Sequence, residues 1–303
     1  MFHHFHGLNL KKTGQGSITI KQFEKIIKYL NHNFEILKPS EWLNRSHNNN
    51  LKSQQICLTF DDSLFSQYQI ALKILNKYNL KAFWFIYSSV FNGELDNFEI
   101  YRKFRVCYFK NFDDFFNEFK INYSKFNFKK MNRAEYTEKI KKLKKSYPVY
   151  SYNDILFRII RDEILDKEEF EAIMNQMMNN KKTSDKKISE KLWMKNHHLV
   201  KLSNEEHEVG MHSYNHPYKF GTLSFEEQNN QLMKNFEHIK KCTNKRPFSI
   251  SYPSGYYDNN TIKILKKLKI KVGFCATMNI LSKNKQNKLF FPRLDHSQIL
   301  NSI

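Results

Sequence analysis

Residues Ile56 to Phe65 read ICLTFDDSLF. An apolar run suited to a buried strand passes directly into two adjacent aspartates, Asp61 and Asp62. Neighbouring like charges raise each other's pKa, so such a pair needs a counter-charge, a helix to cap, or chemistry to perform. The flanking text decides the fold. The strand is predicted over Gln55 to Phe60, QICLTF, and a helix over Phe65 to Tyr78 places Ala71, Leu72 and Leu75 inward. A second strand, KAFWFI, follows from Lys81 to Ile86. Strand, helix, strand at this spacing is a βαβ unit, which implies parallel strands and a right-handed crossover. Upstream, Thr19 and Gln22 form a capping box, and Phe23, Ile26, Ile27 and Leu30 fall on one helical face.

The rhythm breaks near Asn92. From 92 to 199 the text is polar, lysine-rich and helical in period, as in FDDFFNEF (Phe112 to Phe119) and EEFEAIMNQMM (Glu168 to Met178). This stretch reads as a helical insertion within a single domain spanning 1–303. The βα alternation resumes at HEVGMHS (His207 to Ser213). It continues through a helix opened by a Ser224–Glu227 capping box, the strand PFSISYP (Pro247 to Pro253) and the helix NNTIKILKKLKI. The strands KVGFCAT (Lys271 to Thr277) and LFFPRL (Leu289 to Leu294) close the series. The class is α/β, and the number of βα units points to a complete or partial barrel, whose chemistry gathers at the C-terminal ends of the strands.

Four predicted strands deliver polar groups at that end. They supply Asp61 and Asp62, then His212 with His216 in HSYNHP, then the SGYYD segment after the third, then Arg293 to His296 in RLDH. One carboxylate and two imidazoles suit a divalent transition metal and leave positions open for water. The plainer alternatives are a helix-capping role for the aspartates and ordinary strand-end histidines. Capping occupies one aspartate more readily than two.

These residues resemble the polysaccharide deacetylases, the carbohydrate esterase group with a NodB-type domain. LTFDDS is similar to their first motif and HEVGMHSYNHP to their second, H-[ST]-x-x-H. The resemblance covers about Ile18 to Val90 and Val200 to His296. It implies an irregular (β/α)7-type barrel, a metal triad of Asp62, His212 and His216, and Asp61 as general base. The cofactor it implies is a divalent metal, Zn2+ first, with Co2+, Ni2+ or Mn2+ as alternatives. The third motif departs: SYPSG puts Ser251 at the usual arginine and Ser254 at the usual tyrosine. The Ser254 N–H is still a donor for an oxyanion, and Arg293 is expected to supply the missing guanidinium from another strand. A D-x-x-D-W motif is absent. Leu294 to His296 fits the Leu-x-His motif, which makes His296 the general acid, with His3, His4 and His6 of HHFH as rivals or as an exposed, frayed terminus. The implied reaction is removal of N-acetyl, less often O-acetyl, groups from sugars.

Composition narrows the partners. The chain has 303 residues, 50 Lys and Arg against 30 Asp and Glu, and a formal net charge of +20. Lysines are widely spread, and KIKKLKK (Lys139 to Lys145) is spaced as a solvated helix face with Ile140 and Leu143 inward. The charge reads first as drift from an AT-rich genome and second as attraction for an anionic partner. Cys57, Cys107, Cys242 and Cys275 are isolated and form no C-x-x-C. The N-terminal text carries no secretory pattern, and no run approaches the roughly 20 apolar residues of a spanning helix. The expectation is a cytoplasmic enzyme of surface polysaccharide biosynthesis, acting on an N-acetylated sugar, a nucleotide sugar or a lipid-linked glycan. Peripheral membrane contact is compatible with this reading. No nucleic-acid motif occurs. The other readings are a deacetylase-fold binding or regulatory protein and a hydrolase of a non-sugar C–N bond.

Overall fold

Hydrogen-bonding partners, more than strand length, determine the sheet in the computed structural model, which describes residues 1–7, 16–125, 133–146, 150–217, 219–276, 288–300 and 303. The elements in chain order begin with β1 (Phe5–His6), β2 (Ile18–Thr19), α1 (Ile20–Asn33), β3 (Glu35–Ile36), α2 (Pro39–His47) and β4 (Gln55–Ile56). Next are β5 (Thr59–Phe60), α3 (Phe65–Lys77), β6 (Phe83–Ile86), α4 (Asn97–Tyr108), α5 (Phe112–Lys125), α6 (Arg133–Ser146) and α7 (Tyr152–Ile159). The remainder are α8 (Lys167–Asn180), α9 (Asp185–Ser189), α10 (Asn196–Asn204), β7 (Glu208–Met211), α11 (Phe225–Thr243), β8 (Ser249–Ser251), α12 (Asn259–Lys267), β9 (Val272–Phe274) and α13 (His296–Leu300).

The main sheet runs β5-β6-β7-β8-β9, all parallel. It is a curled part of a (β/α)-type barrel, as the βαβ reading requires. Both edges are extended by single bridges: Phe2 pairs with Phe60 in parallel, and Phe291 with Phe274. The two edge segments also meet, since the His296 N–H donates to the Met1 carbonyl at 3.2 Å.

Two predicted strands take a different form. QICLTF splits, because Gln55 and Ile56 pair with β3 while Thr59 and Phe60 pair with β6. LFFPRL forms one bridge and no regular strand; Pro292 lacks the N–H that a continued ladder needs. The predicted end of the KVGFCAT strand at Thr277 lies outside the described residues. The capping boxes at Thr19–Gln22 and Ser224–Glu227 form as read.

Contacts divide the chain into Met1–Glu94 with Lys191–Ile303, and Leu95–Glu190. The first unit packs α1, α3, α11 and α12 on the sheet around Phe23, Phe60, Trp84, Met211, Phe236 and Leu265, all buried. The Phe60 and Trp84 rings stack at 4.4 Å. Gly210 is required where β7 passes between its neighbours: a Cβ there would lie 2.5 Å from Ser249 Oγ and 2.6 Å from Phe85 Cδ1. The second unit is helical, with α5, α7 and α8 burying Phe115, Phe119, Phe157, Ile173 and Met177. Ile140 of α6 is buried, as its spacing predicts. Among the described residues, no helix is long and apolar enough to cross a membrane.

Candidate active site

The adjacent aspartates face different partners. The chain turns at the end of β5, with φ of 76° at Asp62 and 61° at Ser63. These are left-handed conformations that non-glycine residues adopt at a cost. Ser213 (φ 66°), His216 (φ 53°) and Ser254 (φ 51°) adopt the same region in the loops after β7 and β8. Strained loops at one end of a rigid sheet are a recurrent feature of functional sites.

Asp61 is buried and receives a forked guanidinium. Arg293 donates from Nη1 to Oδ1 and from Nη2 to Oδ2, each at 2.8 Å. The Ser251 hydroxyl donates to the same Oδ2 at 3.0 Å and accepts from Arg293 Nη2 at 2.8 Å. Ser251, at the position of the motif's usual arginine, thus bonds to Arg293, the residue expected to supply that guanidinium. Burial alone would push the Asp61 carboxyl up; Arg293, then His212 and His3, outweigh it and hold the group well below the usual range.

Asp62 faces the two histidines. Its Oδ1 lies 3.4 Å from His212 Nε2 and 3.7 Å from His216 Nε2. The three donor atoms lie within 4.8 Å of one another. His212 Nδ1 donates to the Ser251 carbonyl at 2.7 Å. That bond fixes the proton on Nδ1 and turns Nε2 toward Asp62, the usual second bond of a metal-ligating histidine. Burial, then repulsion from His212, pushes His216 down to about 4, so its ring is neutral at neutral pH. One carboxylate and two imidazoles presenting Nε2 to one point fit a divalent transition metal.

The remaining predicted residues are placed as follows. Ser254 is exposed in the turn after β8. His296 opens α13 and is 4 % exposed. Its ring stacks on Phe2 at 5.9 Å, and its Nδ1 lies 3.6 Å from Asp295 Oδ2. The HHFH segment is not frayed. Phe2 and Phe5 are buried, and the Phe2 N–H donates to the Thr59 carbonyl at 2.9 Å. This pairing carries His3 into the site, where Nε2 lies 3.8 Å from Asp61 Oδ2 and Nδ1 lies 3.9 Å from Asp295 Oδ2. His6 instead meets the Ser17 hydroxyl at 2.8 Å. Asp295 lies in the RLDH cluster, but its pairing with His3 has no local signature beyond two histidines bracketed by Phe2 and Phe5.

Solved structures share this fold. The Streptococcus pyogenes deacetylase PplD in complex with acetate aligns with a TM-score of 0.57 at 16% identity, over 97% of this chain and 89% of that one. IcaB from Ammonifex degensii aligns with a TM-score of 0.57 at 13% identity, over 99% and 93%. A de-N-acetylase from Aggregatibacter actinomycetemcomitans gives 0.54 at 12%, over 97% and 92%. No curated protein sequence matches. The family model for polysaccharide deacetylase matches residues 163–273, a span that holds His212, His216 and Ser251 and stops short of Asp61 and Asp62. Fold and site together define an α/β deacetylase-type barrel. The chain shares this fold with solved deacetylases, and the polysaccharide deacetylase model matches its 163–273 segment.

Proposed function

We propose that the protein is a metal-dependent deacetylase that hydrolyses N-acetyl groups of a sugar, within a polysaccharide or on a nucleotide- or lipid-linked precursor. One observation carries this reading. The two adjacent aspartates are divided between a buried arginine and a pair of histidines, which separates a base from a ligand set. A divalent cation, Zn2+ before Co2+, Ni2+ or Mn2+, held by Asp62, His212 and His216 would supply Lewis acidity toward a carbonyl oxygen and acidify water.

The chain's own residues perform the rest. Asp61 accepts the proton of the attacking water; Arg293 and Ser251 keep it ionised and fix its direction. The Ser254 N–H is the donor for the charge that develops on the acetyl oxygen. The water oxygen joins the acetyl carbon, the C–N bond breaks, and the departing nitrogen takes a proton. The geometry supports His3 for that last step over His296, because His3 lies between Asp61 and Asp295 and is 27% exposed at its side chain, whereas His296 is stacked beneath Phe2.

The experiment is acetate release by the Asp61→Asn and Asp62→Ala variants with metal binding measured in parallel. Asp61→Asn loses turnover and keeps the metal; Asp62→Ala loses both. Near-normal turnover in Asp61→Asn would overturn the assignment of the base.

A further inference from the structure

The five residues from His212 to His216 make a loop that cannot hold its shape alone. Ser213 and His216 both sit in the left-handed region, where a non-glycine residue persists only when its surroundings over-determine it. Within the loop the His216 N–H donates to the Ser213 hydroxyl at 3.1 Å. The other restraints come from outside. Tyr214 presents its carbonyl to the N–H groups of Ser88 and Ser89, each at 2.8 Å. Its N–H and that of Asn215 both donate to one atom, Gln231 Oε1, at 3.1 and 3.0 Å. The His212 N–H donates to the Ile86 carbonyl at 3.0 Å and to Asn235 Oδ1 at 2.9 Å.

Gln231 and Asn235 both project from α11, one helical turn apart. Asn235 is fully buried, and its amide works in two senses. Oδ1 accepts from His212, while Nδ2 donates to the Ile86 carbonyl at 3.0 Å and the Ser88 hydroxyl at 2.6 Å. Ser88 in turn meets His238 Nδ1 at 2.8 Å. Gln228, Gln231, Asn235 and His238 thus form a polar stripe at helical spacing along α11. It runs beside the apolar residues Leu232, Phe236 and Ile239, which anchor the helix to the core.

We infer that Gln231 and Asn235 are positioning residues: α11 clamps the backbone of the His212–His216 loop and thereby sets the two imidazoles toward one cation. The inference rests on the metal-dependent reading above. Partners that orient ligands from outside the ligand set typically change metal affinity by about 10–100-fold when removed.

The two amides differ in what they must do, and this gives a test that packing alone does not mimic. Gln231 is needed only as an acceptor, so a carboxylate replaces it. Asn235 must accept and donate, so an isosteric carboxylate fails by setting an oxygen against the Ile86 carbonyl. The experiment measures Co2+ affinity and the Co2+ absorption spectrum of the full chain, with thermal unfolding alongside. The variants are Gln231→Ala, Gln231→Glu and Asn235→Asp. The expected result is about tenfold or greater loss of affinity and an altered spectrum in Gln231→Ala and Asn235→Asp, with Gln231→Glu within about threefold of wild type. Wild-type affinity and spectrum in folded Gln231→Ala, or equal loss in Gln231→Ala and Gln231→Glu, overturn the inference. Should Asn235→Asp not fold, the Gln231 pair alone decides. A wild-type protein that binds no Co2+ fails the metal reading itself, which the variants then need not address.

Discussion

Removing the guanidinium of Arg293 tests the electrostatic arrangement at its centre. Arg293 is 6% exposed. It donates to Asp61 twice, to Thr59 Oγ1 and the Cys275 carbonyl at 3.2 Å, and to Ser251 Oγ at 2.8 Å. Arg293→Ala leaves a buried carboxylate with the Ser251 hydroxyl as its remaining close donor. Breaking a buried ion pair from one side costs about 3–5 kcal/mol, because the survivor stays charged and desolvated. The pH dependence follows in sign. In the wild type the Asp61 carboxyl is held below its ordinary value, so its stabilising contribution is present above about pH 4 and is lost as pH falls through the folded value. Without Arg293, burial dominates and the carboxyl rises. Protonation in mild acid then removes the buried charge, and the deficit narrows from pH 8 to pH 5. Urea unfolding of both proteins at the two pH values measures this. Adding Asp61→Asn to Arg293→Ala recovers part of the loss, since a neutral amide replaces the unpaired charge. A deficit below about 1 kcal/mol, or one that does not change with pH, would refute the reasoning.

Three further outcomes are expected. His3→Gln lowers hydrolysis of an N-acetylated sugar by about 10²–10³-fold but spares an acetyl ester of a phenol, whose leaving group needs no proton; a selective loss in His296→Gln instead transfers that role. Glu208 lies at the start of β7, where burial raises its carboxyl from 4.5 to about 8. Its folded state therefore binds the proton more tightly than the unfolded chain does, and stability falls as pH rises from about 5 to 9. Glu208→Gln removes that slope and is more stable at pH 9 by on the order of 1–3 kcal/mol; an unchanged slope in the thermal midpoint against pH refutes it. Gly210→Ala forces a methyl group against Ser249 and Phe85 and costs about 1–3 kcal/mol in denaturant unfolding. No measurable cost would mean that β7 shifts freely.

What the sequence made legible was local. The helices opened by Thr19 and Ser224 announce themselves through side chains three residues apart. The βαβ unit around Asp61 is visible because each element carries its own period. Asp61, Asp62 and His212 stood out because they follow apolar runs; the choice of Asp62 with His212 and His216 as candidate ligands came from the motif resemblance. What stayed hidden depends on hydrogen bonds between distant segments. Nothing in QICLTF says that Gln55 bonds to β3 while Phe60 bonds to β6. Nothing in HHFH says that Phe2 will pair beside β5 and carry His3 to Asp61. Ser251 looked like a lost arginine. Its contact with Arg293 joins residues 42 positions apart, a separation that no local pattern records. Gln231 and Asn235 were concealed by an ordinary amphipathic helix, since a polar residue beside an apolar stripe usually faces water.

Metal-dependent hydrolysis is tested most directly by acetate release from a panel of N-acetylated sugars, free, nucleotide-linked and oligomeric, with metal-loaded and chelator-stripped protein. Release that requires the metal and disappears in Asp61→Asn is the predicted result. Metal demonstrably bound with no acetate from any substrate, or release unaffected by the chelator, would rule out metal-dependent deacetylation.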